Sequence, residues 1–311
     1  MSASLKKRIR FIINPISGTR DKDYIESYII KYINHNLFFF DIIQTEYPNH
    51  AIQLAKEAVE KKYDAVIAIG GDGSVNEVSK SLINSNTALG IIPNGSGNGL
   101  AHYLKVPFNI RKAIEIINEF NVLAIDTASI NNEVFVSIAG LGFDALVAND
   151  FAQVRTRGFF SYLKIIIKNY FIYYRKKYII YIGNKKIKRK AMMITLANSN
   201  QFGYNTVIAP NAIINDGKID VCIIDKIPIY EAGILSILLF FKRIDISKRI
   251  EIFKDTHLTI IQSKNRAIHI DGDPKFLGKK LEIKIHASSL KAIIPFKTYS
   301  QLTKKRTEVL V

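Results

Sequence analysis

The residue types that could do chemistry cluster in Gly70-Gly71-Asp72-Gly73-Ser74-Val75-Asn76-Glu77-Val78. Glycines let backbone N–H groups approach anionic oxygens, and a helix starting here would turn its partial positive charge towards them. Asp72, Asn76 and Glu77 add polar groups that could hold a metal or a hydroxyl. The Lys of a P-loop and the glycine spacing of a dinucleotide fingerprint are both missing from the stretch. Taken alone, it reads equally as a phosphate site or as a plain glycine turn. Two other loops share its character, Asn14-Pro15-Ile16-Ser17-Gly18 and Pro93-Asn94-Gly95-Ser96-Gly97-Asn98-Gly99.

Apolar runs that read as strands lead into all three loops: Arg10 to Asn14, Ala65 to Ile69 and Ala88 to Ile92. Phe38 to Thr45 reads as another strand. Helical stretches fall at about Tyr24 to Ile33, Ala51 to Lys61, Ser74 to Ile83 and Ile110 to Phe120. Strands alternating with helices at this spacing imply a parallel α/β sheet with its ligand at the strand carboxyl ends. Three polar glycine loops on one sheet edge carry more weight than any one of them. From Asp126 to His286 the pattern changes to strands joined by turns. Glu133 to Ile138, Tyr178 to Ile182, Met192 to Ala197, Ile219 to Ile224, His257 to Ile261 and the alternating Leu281 to His286 are the clearest. This reads as a second, mostly β domain with helical inserts at Phe159 to Tyr174 and Tyr230 to Phe241. The tail with Lys304-Lys305-Arg306 reads as a solvated end.

At 311 residues two domains are the natural expectation, and 48% hydrophobic residues with mean hydropathy +0.08 suit a compact globular chain. Lys and Arg number 44 against 27 Asp and Glu, a net charge of +17, which favours a polyanionic partner. The single cysteine, Cys222, excludes an intramolecular disulfide and a Cys-based zinc cluster and fits a reducing, cytoplasmic location. The apolar run Phe11 to Ile13 is too short for a signal peptide, and no run reaches the ~18 apolar residues of a membrane span. Ile227 to Phe241 comes nearest and is interrupted by Glu231.

In order along the chain, Asn14 to Gly18, Thr45-Glu46, Gly70 to Glu77, Pro93 to Asn98, Gly140-Leu141-Gly142-Phe143-Asp144-Ala145, Ala209-Pro210 with Asp216-Gly217-Lys218-Ile219-Asp220, and Ile270-Asp271-Gly272 form a set. That set resembles the diacylglycerol kinase catalytic-domain superfamily, which includes bacterial lipid kinases, sphingosine kinases and ceramide kinases. The resemblance covers nearly the whole chain. It implies an N-terminal Rossmann-like, NAD kinase-like α/β nucleotide domain over residues 1–125, rejoined by about 290–311, and a C-terminal β-sandwich lipid-substrate domain over 126–289. The active site would lie in the cleft between them. It further implies that Asn14, Pro15, Ser17, Gly18, Thr45, Gly70, Gly71, Gly73, Ser74, Asn76, Glu77 and Ser96 contact ATP, and that Asp72 works through Mg²⁺ with Asp126 in the same acidic network.

Two departures bear on the substrate. Gly99 stands where many diacylglycerol kinases have Asp, and the run Gly95-Ser96-Gly97-Asn98 is like that of sphingosine and ceramide kinases. This weakens diacylglycerol relative to a sphingoid or other lipid alcohol. The family's terminal D-G-E is Asp271-Gly272-Asp273 here. Asp271 or Asp273 would accept the substrate's hydroxyl proton, and the turn alone reads equally as a hairpin tip. In bacterial relatives a structural Mg²⁺ sits at the D-G turn of Asp216. The transferable ligands are the Asp216 carboxylate and the Lys218 carbonyl, and the rival reading is a turn without an ion.

The expected partners are a lipid substrate and an anionic membrane, with no nucleic acid, since no aromatic platform accompanies the basic runs. Ile229 to Phe241 and the aromatic-rich Phe159 to Tyr174 have basic flanks that suit a membrane interface, although both could pack on the sandwich instead. The reading is therefore an ATP- and Mg²⁺-dependent lipid kinase, cytoplasmic and peripheral at the inner face of the membrane, with a homodimer allowed. An NAD kinase-like enzyme and a non-catalytic, membrane-associated nucleotide-binding protein are the alternatives.

Overall fold

A computed structural model describes residues 6–18, 22–95, 97–154, 159–203, 206–228, 230–231, 238, 241 and 243–310. The chain forms two compact units, Met1–Ile125 with Ser288–Val311, and Asp126–Ala287.

The first unit is built on a parallel sheet. Strands β1 (Lys7–Ile13), β2 (Phe38–Gln44), β3 (Ala65–Gly70) and β4 (Ala88–Pro93) stand in the order β2-β1-β3-β4. Every residue of β3 and β4 is buried, which is why both read as unbroken apolar runs. The end of the long strand Lys280–Ile293 adds beside β4, with Ala292 opposite Leu89. Helices α1 (Lys22–Tyr32), α2 (His50–Glu60), α3 (Asp72–Leu82), α4 (Gly99–Tyr103) and α5 (Ile110–Glu119) fill the connections. α2 packs on α3, and α1 on α5. Asn109 caps α5 by accepting the N–H of Lys112 at 3.0 Å.

The tail that the sequence suggested was solvated is a helix, Phe296–Leu310. It buries Thr298 and Leu302 one turn apart, while Lys304 and Lys305 lie on its exposed side. Two anchoring residues in a charged segment leave too narrow an apolar stripe to stand out in the sequence.

The second unit is a β-sandwich. One sheet runs through the first part of Lys280–Ile293, then His257–Gln262, Lys176–Ile182 and Lys185–Ala191, with Val122–Ile130 and Glu133–Phe135 attached. The other has the order Ile250–Asp255, Ile219–Ile224, Met193–Ala197, Ile138–Gly142, Ile268–Ile270, Asp273–Lys275. Alternate residues such as Leu141, Ile194, Val221, Leu258, Ile260, Leu281 and Ile283 meet in one core.

A helix over Phe143–Ala152 was not foreseen. It begins inside the glycine-rich Gly140 to Ala145 stretch and carries the helix Phe159–Ile172 on its flank through Phe143, Val147, Tyr162, Ile166 and Tyr170. The insert expected over Tyr230 to Phe241 lies largely outside the described residues. Among the described residues no helix is long and apolar enough to cross a membrane.

Candidate functional site

The first unit brings the three glycine loops together. β1, β3 and β4 are neighbours and parallel, so the loops leaving their carboxyl ends share one sheet edge. Hydrogen bonds then stitch loop to loop. Asn14 donates its amide to the Ser74 hydroxyl at 3.0 Å, and Asn94 donates its own to the Ser17 carbonyl at 3.0 Å. The N–H of Asn94 reaches the Gly70 carbonyl at 2.8 Å, and that of Asn14 the Ile69 carbonyl at 3.0 Å. Pro15 turns the first loop, and its neighbour Ile16 is exposed. Thr45, at the end of β2, donates its N–H to the Ile13 carbonyl and so lies beside that loop.

Glycine is required where the loops touch. A Cβ at Gly95 would run into the Gly71 backbone, and one at Gly18, which sits at φ +68°, would run into the Asn94 carbonyl. α3 starts at Asp72 with Gly71 before it and no side-chain cap, so the N–H groups of its first turn point out of the loop. Gly73 is exposed at that end, Ser74 and Asn76 are buried, and Glu77 is half-buried one turn below Gly73. Ser96 lies outside the described residues.

Asp72 takes a role that the sequence did not suggest. Its Oδ2 accepts the N–H of Asn98 and its Oδ1 the N–H of Gly99, both at 2.7 Å, so it holds the third loop against the second. A carboxylate has about four lone-pair directions. Carboxylate oxygen is the donor type that Mg²⁺ takes. Among the described residues no group of three or more His, Cys, Asp and Glu could hold an ion unaided.

In the second unit Asp271 and Gly272 form a two-residue hairpin tip, at φ +48° and +91°, with Ile270 opposite Asp273. The two candidate bases are thereby separated. Asp271 accepts three backbone N–H groups, from Val136 at 2.9 Å, Ser137 at 2.9 Å and Ile138 at 3.0 Å. A carboxylate bonded to three backbone donors is held still. Asp273 is exposed.

Two buried residues beside this turn were missed as site residues. Asp144 begins the unforeseen helix, and His269 alternates with the core residues Ile268 and Ile270, so its ring lies on the opposite face of the sheet. The period of two contained that signal for His269. Asp144 stood inside a recognised motif without an assigned role.

At the Asp216 turn the carboxylates of Asp216 and Asp126 accept backbone N–H groups, and a lysine stands beside Asp216. Asp216 Oδ1 accepts the N–H of Lys218 at 3.0 Å, and Asp126 Oδ2 accepts the N–H of Gly217 at 2.7 Å. The Lys254 ammonium then lies 3.1 Å from Asp216 Oδ2, 3.3 Å from Asp220 Oδ2 and 2.9 Å from the Asn211 carbonyl. Both carboxylates are buried. Burial pushes Asp220 up to about 6, with Lys254 pulling it down and Asp216 adding to the rise. The Lys254 ammonium thus supplies positive charge beside the carboxylate that was expected to hold Mg²⁺.

The diacylglycerol kinase catalytic domain family matches residues 8–130, and the YegS C-terminal NAD kinase beta sandwich-like domain family matches residues 137–280. A diacylglycerol kinase of Staphylococcus saprophyticus is 25% identical over 290 residues, covering 91% of this chain and 94% of that protein. One from Staphylococcus aureus is 28% identical over 244 residues, 74% of each chain. Among solved structures, a diacylglycerol kinase from Bacillus anthracis str. Sterne superposes with TM-score 0.72 at 19% identity, covering 95% of this chain and 99% of that one. An NAD kinase from Archaeoglobus fulgidus in complex with ATP reaches TM-score 0.53 at 11% identity, covering 96% and 98%. Both structural likenesses concern the fold.

Proposed function

Because the chain belongs to the diacylglycerol kinase catalytic-domain family, we propose that it transfers the γ-phosphate of ATP to the hydroxyl of a lipid alcohol, a diacylglycerol or a sphingoid or related lipid. The observation that carries this reading is the joining of the three glycine loops through Asn14, Asn94 and Asp72. Asn14, Pro15, Ser17, Gly18, Thr45, Gly70, Gly71, Gly73, Ser74, Asn76, Glu77 and Ser96 are the nucleotide-binding set. The loop N–H groups at the start of α3 and the small hydroxyls of the set suit phosphate oxygens. When bound, Mg²⁺ neutralises the β and γ oxygens, and Asp72 is the residue that would hold it.

On the acceptor side Asp273 is the base. The lipid hydroxyl oxygen bonds to the γ-phosphorus, the bond to the β-phosphate oxygen breaks to release ADP, and the hydroxyl proton passes to Asp273. Asp271 positions the turn through its three backbone hydrogen bonds.

Membrane docking belongs to the same reading. Along the helix Phe159–Ile172 the exposed residues Phe160, Leu163, Lys164, Ile167, Lys168 and Phe171 recur every three or four positions. Its other face packs inward through Tyr162, Ile165, Ile166 and Tyr170. An apolar stripe carrying lysines suits the interface of an anionic bilayer, at the cytoplasmic face.

The test is a screen with γ-labelled ATP over a total lipid extract, with NAD⁺ assayed alongside. Label on a lipid is expected. Label on NAD⁺ alone would replace the proposal with an NAD kinase. ATP binding with transfer to neither acceptor would leave a nucleotide-binding protein without catalysis.

A further inference from the structure

In the six-stranded sheet Gly140 stands opposite His269 on one side and Thr195 on the other. Their strand neighbours Ala139, Leu141, Ile194, Leu196, Ile268 and Ile270 fill the sandwich core, so this row lies on the sheet's other face. The missing side chain at Gly140 makes a gap, and the Asp144 carboxylate occupies it. A Cβ at Gly140 would overlap both Asp144 Oδ2 and His269 Nε2.

Asp144 Oδ2 lies 3.3 Å from His269 Nε2 and 3.3 Å from the Thr195 hydroxyl, while Oδ1 accepts the N–H of Ala145 at 2.8 Å. Across the ring, His269 Nδ1 accepts the N–H of Gly272 at 3.3 Å. An acceptor at Nδ1 and a carboxylate at Nε2 fit one neutral tautomer, with the proton on Nε2. The second residue of a tight two-residue hairpin turn has no ladder partner for its N–H. Here the His269 ring supplies one, from a buried site.

We propose that Asp144 and His269 are positioning residues that fix the Asp271-Gly272-Asp273 turn and thereby orient Asp273. The pair acts on the backbone while Asp273 meets the acceptor; this role rests on the reading of Asp273 as the base. Asp144 sets the ring's tautomer, the ring holds Gly272, and the carboxylate two residues on from Asp271 is presented in one direction. Near-attack geometry is sensitive to shifts of about 1 Å, so a loosened turn costs turnover before it costs nucleotide binding.

The test uses the full-length chain and three variants. Nitrogen-15 histidine spectra of the wild type should show His269 with a bare Nδ1 and a protonated Nε2. Gly140→Ala, which displaces the Asp144 carboxylate without removing either partner, should abolish that tautomer preference. His269→Leu should lower kcat for lipid phosphorylation on the order of tenfold to a hundredfold with the KM for ATP unchanged. His269→Asn, which can still accept from Gly272, should recover part of the loss. A proton on Nδ1 in the wild type, or equal loss in the Leu and Asn variants, would overturn the proposal. Should the wild type phosphorylate no lipid, the kinase reading fails, and the tautomer measurement still decides the Asp144–His269–Gly272 chain.

Discussion

The Asp72 carboxylate accepts the N–H of Gly99 at 2.7 Å, and this bond, with its twin to Asn98, closes the third glycine loop onto the second. Charge-assisted hydrogen bonds of this kind contribute about 2 kcal/mol each. Asp72→Ala removes both and Asp72→Asn retains an acceptor for one. We expect each variant to lose ATP-dependent phosphate transfer by about a hundredfold or more, the alanine variant the more severely. The β3 and β4 core does not contain Asp72, so the far-ultraviolet circular dichroism should be unchanged. Wild-type turnover in Asp72→Ala, measured with labelled ATP, would remove Asp72 from the mechanism.

Much of this cradle was legible beforehand because strand, glycine loop and helix are all local patterns. The buried runs of β3 and β4, the alternation of Leu281 to His286 and the three loops declared themselves by period and composition. The stitching bonds were not legible, because Asp72 and Gly99 are 27 residues apart and only the sheet order brings them together. The same holds for His269 and Asp144, 125 residues apart. Lys254 was invisible for a further reason. A lysine in a mixed strand looks like a solvated one until its carboxylate partners are placed.

The hairpin tip gives its two carboxylates different surroundings, three backbone N–H donors around Asp271 and exposure for Asp273. Asp271→Asn keeps a residue that tolerates positive φ but replaces a carboxylate bound by three N–H groups, so it should lower the melting temperature. Asp273→Asn alters an exposed side chain and should leave the melting temperature unchanged while lowering kcat by about a hundredfold. Thermal unfolding and steady-state kinetics on the two variants separate the roles. A stable, inactive Asp271→Asn beside a fully active Asp273→Asn would exchange them.

At the Asp216 turn the Lys254 ammonium supplies the positive charge. Wild-type melting should therefore be the same in EDTA and in millimolar magnesium without nucleotide. Lys254→Met leaves Asp216 and Asp220 without their cation and should destabilise the fold by about 2 kcal/mol or more. Magnesium should then restore part of that loss, since oxygen ligands at a turn suit it once the ammonium is gone. A saturable magnesium-dependent rise in the wild type would show that the lysine does not fill the cation's place. The Asp220 carboxyl adds a pH signature. Its pKa is raised from 3.8 to about 6, so its contribution is full below about pH 4 and is lost as the pH rises through about 6. Asp220→Asn should flatten stability across that window in denaturant titrations.

The outer stripe of the helix Phe159–Ile172 separates binding from folding. Phe160, Ile167 and Phe171 are 84%, 53% and 62% exposed, so replacing them with serine removes little packing, and the melting temperature should not move. Burial of each side chain in a bilayer interface would contribute about 1 to 2 kcal/mol. The triple variant should consequently float with phosphatidylglycerol vesicles at least tenfold less than the wild type. Lys164→Glu with Lys168→Glu should act differently, abolishing binding at low salt on anionic vesicles while leaving the weak binding to neutral ones untouched. If the wild type stays in the bottom fraction at low salt, the stripe does not dock on lipid. The hydroxyl acceptor would then have to reach the protein as a dispersed monomer.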